Sequence, residues 1–570
     1  ARAMRLVSTA FRIVLDYQVA KVETRLPFTM QSEEECEMKE LEAEIERLEL
    51  KLEKAQIEYS SGTASKETTR DISPEERIEL KIFQKQRMEE TAAELVNAEQ
   101  RLIAREDHST KSRLNRKSAE RLLDLCRENG GVYIKVGQHL ANLDYLIPRE
   151  YIDVLSSLFN DAPQSAVNDV YSVIEEDLGR GVDELFDDFD PNPIASASLA
   201  QVHVAYCKKT KKKLAVKVQH RGLRETSAGD LFAVTHVVRA IDSLFTDFTF
   251  GWIADEMAPQ LPKELDFKRE GRNSEIAAVQ VEKSGLACCI PKVLWEKTSS
   301  RVLTMEFEEG FKSTDIESLE ASGLKKSDVA KLVSSVFNSQ VFISGFVHCD
   351  PHPGNCLIRR SKNGTPEMVL VDHGLYKRLD NDFRIQYAEL WRSLMMADLN
   401  GIKNACSELG VTKMYPLFAA MLTARPYDEI IERSKTGSFS APSRESSEKG
   451  SQADHAVIRG YAKQFMGEIF ALLGVLPPQM LLLLKMNDCL RHIDMALESP
   501  TNTLVIAGKY ASKAVYQHQI QKTKSSDSLA TPTLSRFHYW FDYMKVMFRI
   551  QVHDIAAWMM SRYGGLLTSA

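Results

Sequence analysis

Phe346-Val-His-Cys-Asp-Pro-His-Pro-Gly-Asn-Cys356, followed by Val369-Leu-Val-Asp-His-Gly374, is the stretch whose reading decides the fold. It gathers two carboxylates, Asp350 and Asp372, and one amide, Asn355, around short apolar runs. Carboxylate and amide oxygens are hard donors of the kind Mg²⁺ takes. His348, Cys349, His352 and Cys356 offer an alternative set of zinc ligands at close spacing. That alternative leaves the acidic residues and a distant strand lysine unexplained. Cys356 also leads into an apolar strand, Leu357-Ile358, where a small buried hydrophobe suffices.

His348-x-Asp350, with Asn355 five residues after the Asp, has the spacing of a kinase catalytic loop. An Asp-x-Gly behind an apolar strand is where such a protein keeps its metal-binding carboxylate. In phosphoryl transfer one carboxylate, here Asp350, orients the acceptor hydroxyl. Asn355 and Asp372 hold Mg²⁺ against the phosphates of ATP or ADP. Upstream, Lys217 lies mid-strand in Ala-Val-Lys, placed to reach the α/β-phosphates. His-x-Asp or Asp-x-Gly alone recurs by chance. A strand lysine, a catalytic loop and a metal Asp in this order are specific together.

Outward from this cluster, strands are expected at Val202–Tyr206, Leu214–Val218, Arg301–Met305 and Met368–Val371. Helical periodicity covers 117–185 and 226–279, and most of the chain after 371. The basic run Lys208–Lys213 reads as a solvated hairpin tip. Residues 432–454 and 522–535 read as loops rich in Ser and charge.

The amino-terminal part differs in kind. Met38, Leu41, Ile45, Leu48, Leu52, Ala55 and Tyr59 form a heptad seam. Ser73-Pro74-Glu75-Glu76 starts a second helix carrying Ile78, Ile82, Met88, Ala92, Leu95 and Leu102. An antiparallel hairpin results, either a solvated spacer or a coiled coil for a protein partner or self-association. Between Glu33 and Glu58 there are eleven Glu and four basic residues, which is the whole of the chain's net charge of −7. Arg2, Arg5, Arg12, Lys21 and Arg25 flank an apolar stretch from Leu6 to Leu15, suited to a membrane-surface helix or to a packed one.

Composition sets the remaining bounds. The 570 residues are 44% hydrophobic and 27% charged, enough to bury a core. The balance of charge gives bulk nucleic-acid binding no support. Nine cysteines without a CxxC pair are no disulfide framework. No run reads as a membrane span: Leu332–Cys349 is interrupted by polar residues, and the stretch ending at Leu484 contains Pro477 and Pro478. The chain opens on Ala1, so a leader or anchor removed upstream is an open expectation.

From about Ala119 to Ser499 the chain resembles the UbiB/AarF-domain atypical kinases. The family's KxGQ appears as Lys135-Val-Gly-Gln138, and its ExD as Glu264-Leu-Asp266. Its Ala-rich loop appears as Pro193-Ile-Ala-Ser-Ala-Ser-Leu-Ala-Gln-Val-His203, and its HxDPHPGN as His348–Asn355. The resemblance places Glu270 as the helix partner of Lys217. It makes Ala195, Ser196, Ala197, Ser198, Met305 and Glu306 nucleotide-binding residues, and Lys135, Gln138, Glu264 and Asp266 a lid over the cleft. A helix beginning near Ala195 would offer its N–H groups to a phosphate. Two departures stand out: Ser196 interrupts the Ala-rich loop, and His373 replaces the Phe of Asp-Phe-Gly.

The expected fold is α+β, a protein-kinase-like two-lobed fold with a helical N-terminal extension and an inserted antiparallel helical hairpin. Its parts are an N-terminal helix (1–32), the hairpin (33–105), the extension with KxGQ (106–190), the first lobe (191–310), the second lobe (311–499) and a C-terminal helical segment (500–570). The expected activity is Mg²⁺-dependent ATP binding, with hydrolysis or transfer to a small-molecule or lipid-related acceptor. A lysine lid paired with Glu264 would block protein substrates. The resemblance implies a mitochondrial place, at the inner membrane or in the intermembrane space, with lipid association and a role in lipid or coenzyme Q homeostasis. A nucleotide-binding pseudokinase scaffold and a serine/threonine protein kinase are the alternatives.

Overall fold

The computed structural model describes residues 1–23, 110–141, 147–159, 164–244, 261–412, 414–423, 476–498, 503–524 and 536–549, with scattered positions between 40 and 101 and at 258 and 551. It divides into two compact units, residues 1–128 with 137–160, and residues 129–136 with 161–570.

The first unit is helical. It contains α1 (Arg2–Glu23), most of α2 (Thr110–Asn129), the later part of α3 (Val132–Ala141) and α4 (Arg149–Leu155). Asp16 of α1 pairs with Lys117 and Arg121 of α2, and the Tyr17 hydroxyl donates to Asn115 Oδ1 at 2.6 Å. A Cβ on Gly137 would lie 2.4 Å from Leu158 and 3.1 Å from Cys126 Sγ, so close packing explains the glycine of Lys135–Gln138. Within 33–105, Ile45 and Leu48 pack with Ala98, and Arg101 pairs with Glu44 at 2.7 Å. Leu41 is helical and half-buried, while Met38, Leu52, Ala55, Tyr59 and the Ser73-Pro74 start lie outside the described residues.

The second unit begins with α5 (Val167–Leu178), β1 (Phe186–Phe189), β2 (Ala195–Ser196), β3 (Ala200–Cys207) and β4 (Lys213–Gln219). After β5 (Cys288–Cys289), β6 (Val302–Glu306) completes an antiparallel five-stranded sheet in the order β1-β3-β4-β6, with β2 also on β3. Val170, Val173 and Ile174, at helical spacing on α5, pack on Phe186, Leu214, Val216, Val218 and Val302. The sheet's core therefore recruits α5 and β1, and the expected boundary at 190 falls too late. Lys208 to Lys212 form an exposed hairpin tip, as their charge requires.

Among the described residues, the expected helical stretch 226–279 holds two long helices, α6 (Leu223–Leu244) and α7 (Phe267–Ser284), with a single helical turn at Leu261–Glu264 between them. Asp266 begins α7: its side chain accepts the Lys268 N–H, an N-cap that restarts the chain in a new direction.

The remainder is mainly helical: α8 (Lys326–Asn338), a π-helical turn at Ser339–Ser344, α9 (Asn381–Met396), α10 (Leu399–Glu408), α11 (Pro478–Ala496) and α12 (Thr503–Lys524). Their core includes Val333, Phe337, Phe342, Tyr387, Leu390, Ile402 and Leu483. Ala507, Ala511, Ala514 and Val515 of α12 belong to the same core, so that helix is part of it and not a separate segment. Four short strands, β5-β10-β9-β7, form a second sheet, with β7 (Phe311–Lys312), β9 (Cys356–Arg360) and β10 (Pro366–Leu370); β8 (Phe346–His348) pairs with β11 (Tyr376–Arg378). The uncharged run 332–349 is α8, the π turn and β8, and the apolar run near 480 opens α11 with Pro478 at its start. No described helix is long and apolar enough to cross a membrane.

Candidate active site

Strand alternation places the first group. In the sheet Val202 faces Lys217, which faces Leu303, and Val204 faces Ala215, which faces Met305. Leu214, Val216 and Val218 point the other way, into the core under α5. Val202, Ala215 and Lys217 are left half-buried on one face. Lys217 Nζ donates to both oxygens of Glu270, at 2.7 and 3.0 Å, and to Asp372 Oδ2 at 3.0 Å. Glu270 stands in the first turn of α7 with 3% of its surface exposed. Burial alone would strip the proton from Lys217, but the charges of Asp372 and Glu270 outweigh it and raise its pKa. Burial raises the Asp372 carboxyl, yet Lys217 and the Gly374 N–H overcome this and hold it well below the usual carboxylate range.

His348 ties the second group together. The π turn and β8 bury it, with Gln340 Oε1 accepting its N–H at 2.9 Å. Its Nδ1 accepts the Asp350 N–H at 3.1 Å, so Nε2 carries the proton and donates to the Asp372 carbonyl at 2.9 Å. Burial lowers its pKa, which keeps the ring neutral in this role. Asn355 Nδ2 donates to the Asp350 carbonyl at 3.1 Å, which leaves its Oδ1 for a metal. Asp372 Oδ1 accepts the Gly374 N–H at 2.9 Å, and a Cβ on Gly374 would come within 3.3 Å of that oxygen. The glycine keeps open the side of the carboxylate where a cation would bind. One amide oxygen, one carboxylate and a cleared approach fit Mg²⁺. Cys356 is fully buried on β9, Cys349 Sγ donates to the Val347 carbonyl, and no group of three metal-type side chains converges among the described residues.

His373 is buried as well. Its Nε2 donates to the Leu370 carbonyl and its Nδ1 accepts from the Tyr376 hydroxyl, both at 3.0 Å. Burial pushes its pKa down to about 3.

The lid residues divide. Lys135 pairs with Glu264 at 2.8 Å, and residues 129–136 belong to the same compact unit as the catalytic residues. Burial works against its charge, but Glu264, Asp350 and Asp372 together raise its pKa. Asp266 is not a second partner, because its carboxylate is spent capping α7. Gln138 belongs to the helical unit, where Nε2 donates to the Leu158 carbonyl at 2.9 Å. That bond ties α3 to the 3-10 turn at Ser156–Phe159.

The Ala-rich loop is not a helix start. Ala195 and Ser196 pair with Val202 and Gln201 as a hairpin, and Ala197 N–H donates to the Ala200 carbonyl at 2.8 Å. Extended pairing wins because Ile194, Ala195 and Ser196 find ladder partners on β3, which local helix propensity cannot offset. His220 Nε2 donates to the Ala197 carbonyl at 2.9 Å and pins the turn. Ala195 and Ala197 are exposed and Ser198 is buried. Met305 packs into the apolar cluster around Phe267, and Glu306 turns to Lys212 at 2.8 Å.

A profile of the ABC1 atypical kinase-like domain matches residues 157–406. The chain is 38% identical to AarF domain-containing protein kinase 1 of Mus musculus over 461 residues, which cover 80% of this chain and 85% of that protein. It belongs to the ABC1/AarF-domain family of atypical kinases. It is also 38% identical to a probable serine/threonine-protein kinase of Dictyostelium discoideum, over 70% of this chain and 56% of that one. A solved complex of Rv3197 with erythromycin, from Mycobacterium tuberculosis, is 25% identical with a TM-score of 0.38, across 53% of this chain and 75% of that chain.

One feature of this ABC1/AarF-domain chain escaped the sequence. Lys485, on α11, pairs with Asp350 Oδ1 at 3.3 Å. Burial raises the Asp350 carboxyl, but the Lys485 and Lys135 charges hold it down at about 2. Nothing in the run Met480–Leu484 announces such a role. Strand alternation around Lys217 also leaves Val202 and Ala215 half-buried on its face.

Proposed function

We propose that the protein is a Mg²⁺-dependent atypical kinase or ATPase that takes ATP and acts on a small-molecule or lipid-related acceptor. The observation that carries this reading is Lys217, whose ammonium meets Glu270 at 2.7 Å and Asp372 at 3.0 Å. A strand lysine, a helix glutamate and a metal-type aspartate thus converge from distant parts of the chain. Val202 and Ala215 offer an apolar surface for a base, Lys217 binds phosphate oxygens, and Asp350, ionised, accepts the hydrogen bond of an acceptor hydroxyl or water. Asn355 and Asp372 would hold Mg²⁺, which supplies charge neutralisation on the phosphates when bound.

The Lys135–Glu264 pair at 2.8 Å, as the lid that the resemblance implies, supports a compact acceptor over a folded protein. Two exposed faces support lipid association. On α1, Met4, Val7, Phe11 and Leu15 are exposed beside Arg2, Arg5 and Arg12. Along helical residues 536–549, Phe537, Trp540, Phe541, Met544 and Phe548 recur at i, i+3, i+4, i+7 and i+11, with Lys545 and Arg549 alongside. An aromatic stripe edged by basic residues suits an anionic lipid surface. The mitochondrial setting and the role in lipid or coenzyme Q homeostasis rest on the family resemblance.

The test is ATP turnover with and without Mg²⁺ for the wild type beside Asp372→Asn. Turnover that needs the metal and falls by at least about 10²-fold in the variant supports the reading. Binding of nucleotide without any turnover would make the protein a pseudokinase instead.

A further inference from the structure

The catalytic loop carries no fixed positive charge of its own. Between Asp350 and Asn355 stand Pro351, His352, Pro353 and Gly354. The one titratable group among them, His352, has its pKa lowered by burial. A phosphoryl group passing between a nucleotide and an acceptor spreads negative charge over its oxygens, and a site that transfers it needs cations aimed there. Lys217 is engaged by Glu270 and Asp372, and Lys135 by Glu264.

Among the described residues, Lys485 is the lysine that pairs with Asp350. It comes from α11, which is anchored in the core by Met480, Leu483 and Met486, while Arg491 donates to the carbonyls of Met421 and Leu422. The side chain is 21% exposed, and its ion pair with Asp350 is a single contact at 3.3 Å. An ammonium has three N–H donors. One long contact to one oxygen leaves the others for a ligand. Asp350, as the group that orients the acceptor, keeps its other oxygen for the hydroxyl. That hydroxyl would stand about 2.7 Å from the carboxylate and about 3 Å from the phosphorus it attacks. A cation beside the same carboxylate stands next to the place where the acceptor and the phosphoryl group meet.

We propose that Lys485 is a catalytic residue that binds the γ-phosphoryl group, supplying from α11 the charge that the Asp350–Asn355 loop lacks. This rests on the phosphotransferase reading above. The reverse contact, a lysine that only holds Asp350 in place, makes a different prediction: it would be indifferent to whether the nucleotide has a γ-phosphate.

The experiment compares Mg-ADP with Mg-AMP-PNP binding by titration calorimetry on the wild type, Lys485→Met and Lys485→Arg, with ATP turnover measured in parallel. Lys485→Met should weaken AMP-PNP by about 10- to 100-fold, as for a charge-assisted hydrogen bond, and leave ADP within about twofold. Its kcat should fall further than its KM rises, and Lys485→Arg should recover part of both. Lys485→Gln carries the same comparison if the Met variant does not fold. Equal weakening of both nucleotides, or of neither, overturns the assignment. Wild-type protein that binds neither nucleotide overturns the phosphotransferase reading itself, and the role of Lys485 with it.

Discussion

Lys135 and Glu264 meet at 2.8 Å, with 20% of the lysine side chain and 8% of the glutamate side chain exposed. Removing either partner from such a pair strands a charge, at a cost of about 3–5 kcal/mol. Lys135→Ala and Glu264→Ala should each lower stability by that order. The double variant should be less destabilised than their sum by at least about 1 kcal/mol. Urea unfolding of the four proteins gives the cycle. Strictly additive losses would mean that the two side chains act separately.

Asp350 and Asp372 should separate binding from chemistry. Asp372→Asn should abolish the Mg²⁺-dependent part of the thermal shift produced by ATP, because the cation loses its charged ligand. Asp350→Asn should keep that shift and lose turnover by about 10²- to 10⁴-fold. An Asp372→Asn protein with an unchanged shift would remove this carboxylate from the metal site.

The carboxyl of Asp494, on α11, is raised by burial to about 7, and its Oδ1 has no hydrogen-bond partner among the described residues. Below the ordinary carboxyl pKa both folded and unfolded states are protonated, and the burial has no pH-dependent cost. As pH climbs from about 4 to 7 the unfolded chain ionises first, so stability falls across that window. Asp494→Asn should flatten this part of the Tm-against-pH curve and be the more stable protein at pH 8. A curve of the same slope in both proteins would show that the carboxyl ionises normally in the fold.

The aromatic face of residues 536–549 should bind lipid. Phe537→Asp with Phe541→Asp should reduce cosedimentation with anionic phospholipid vesicles by at least about tenfold, as two buried aromatic side chains are lost. Nucleotide binding should stay unchanged. Equal sedimentation of wild type and variant, or wild type that ignores vesicles altogether, would end the assignment.

The candidate set was legible because its chemistry is local. Asp350 and Asn355 lie on one loop, and Asp372 and Lys217 each follow an apolar alternation that marks a strand. Glu264 and Lys135 were legible through motif resemblance. The failures share a cause: the decisive partner was distant. Ala195 and Ser196 extend because β3 offers hydrogen bonds that no local propensity reveals. Asp266 was spent on the Lys268 N–H, which depends on where the chain turns. Lys485 reaches Asp350 from 135 positions away, inside a leucine run that by composition promises only core. The place of α12 in the core likewise depends on small residues whose neighbours are α8 and α9.

The fastening of His373 bears on pharmacology. In conventional kinases the packing of a Phe at this position sets the active or the inactive state. Here the ring is latched to the Leu370 carbonyl and the Tyr376 hydroxyl and stacks on Tyr376 at 5.8 Å. Swinging it out would orphan two buried polar groups besides its own, at about 1–3 kcal/mol each. Compounds that need this ring displaced should therefore be poor ligands of this protein.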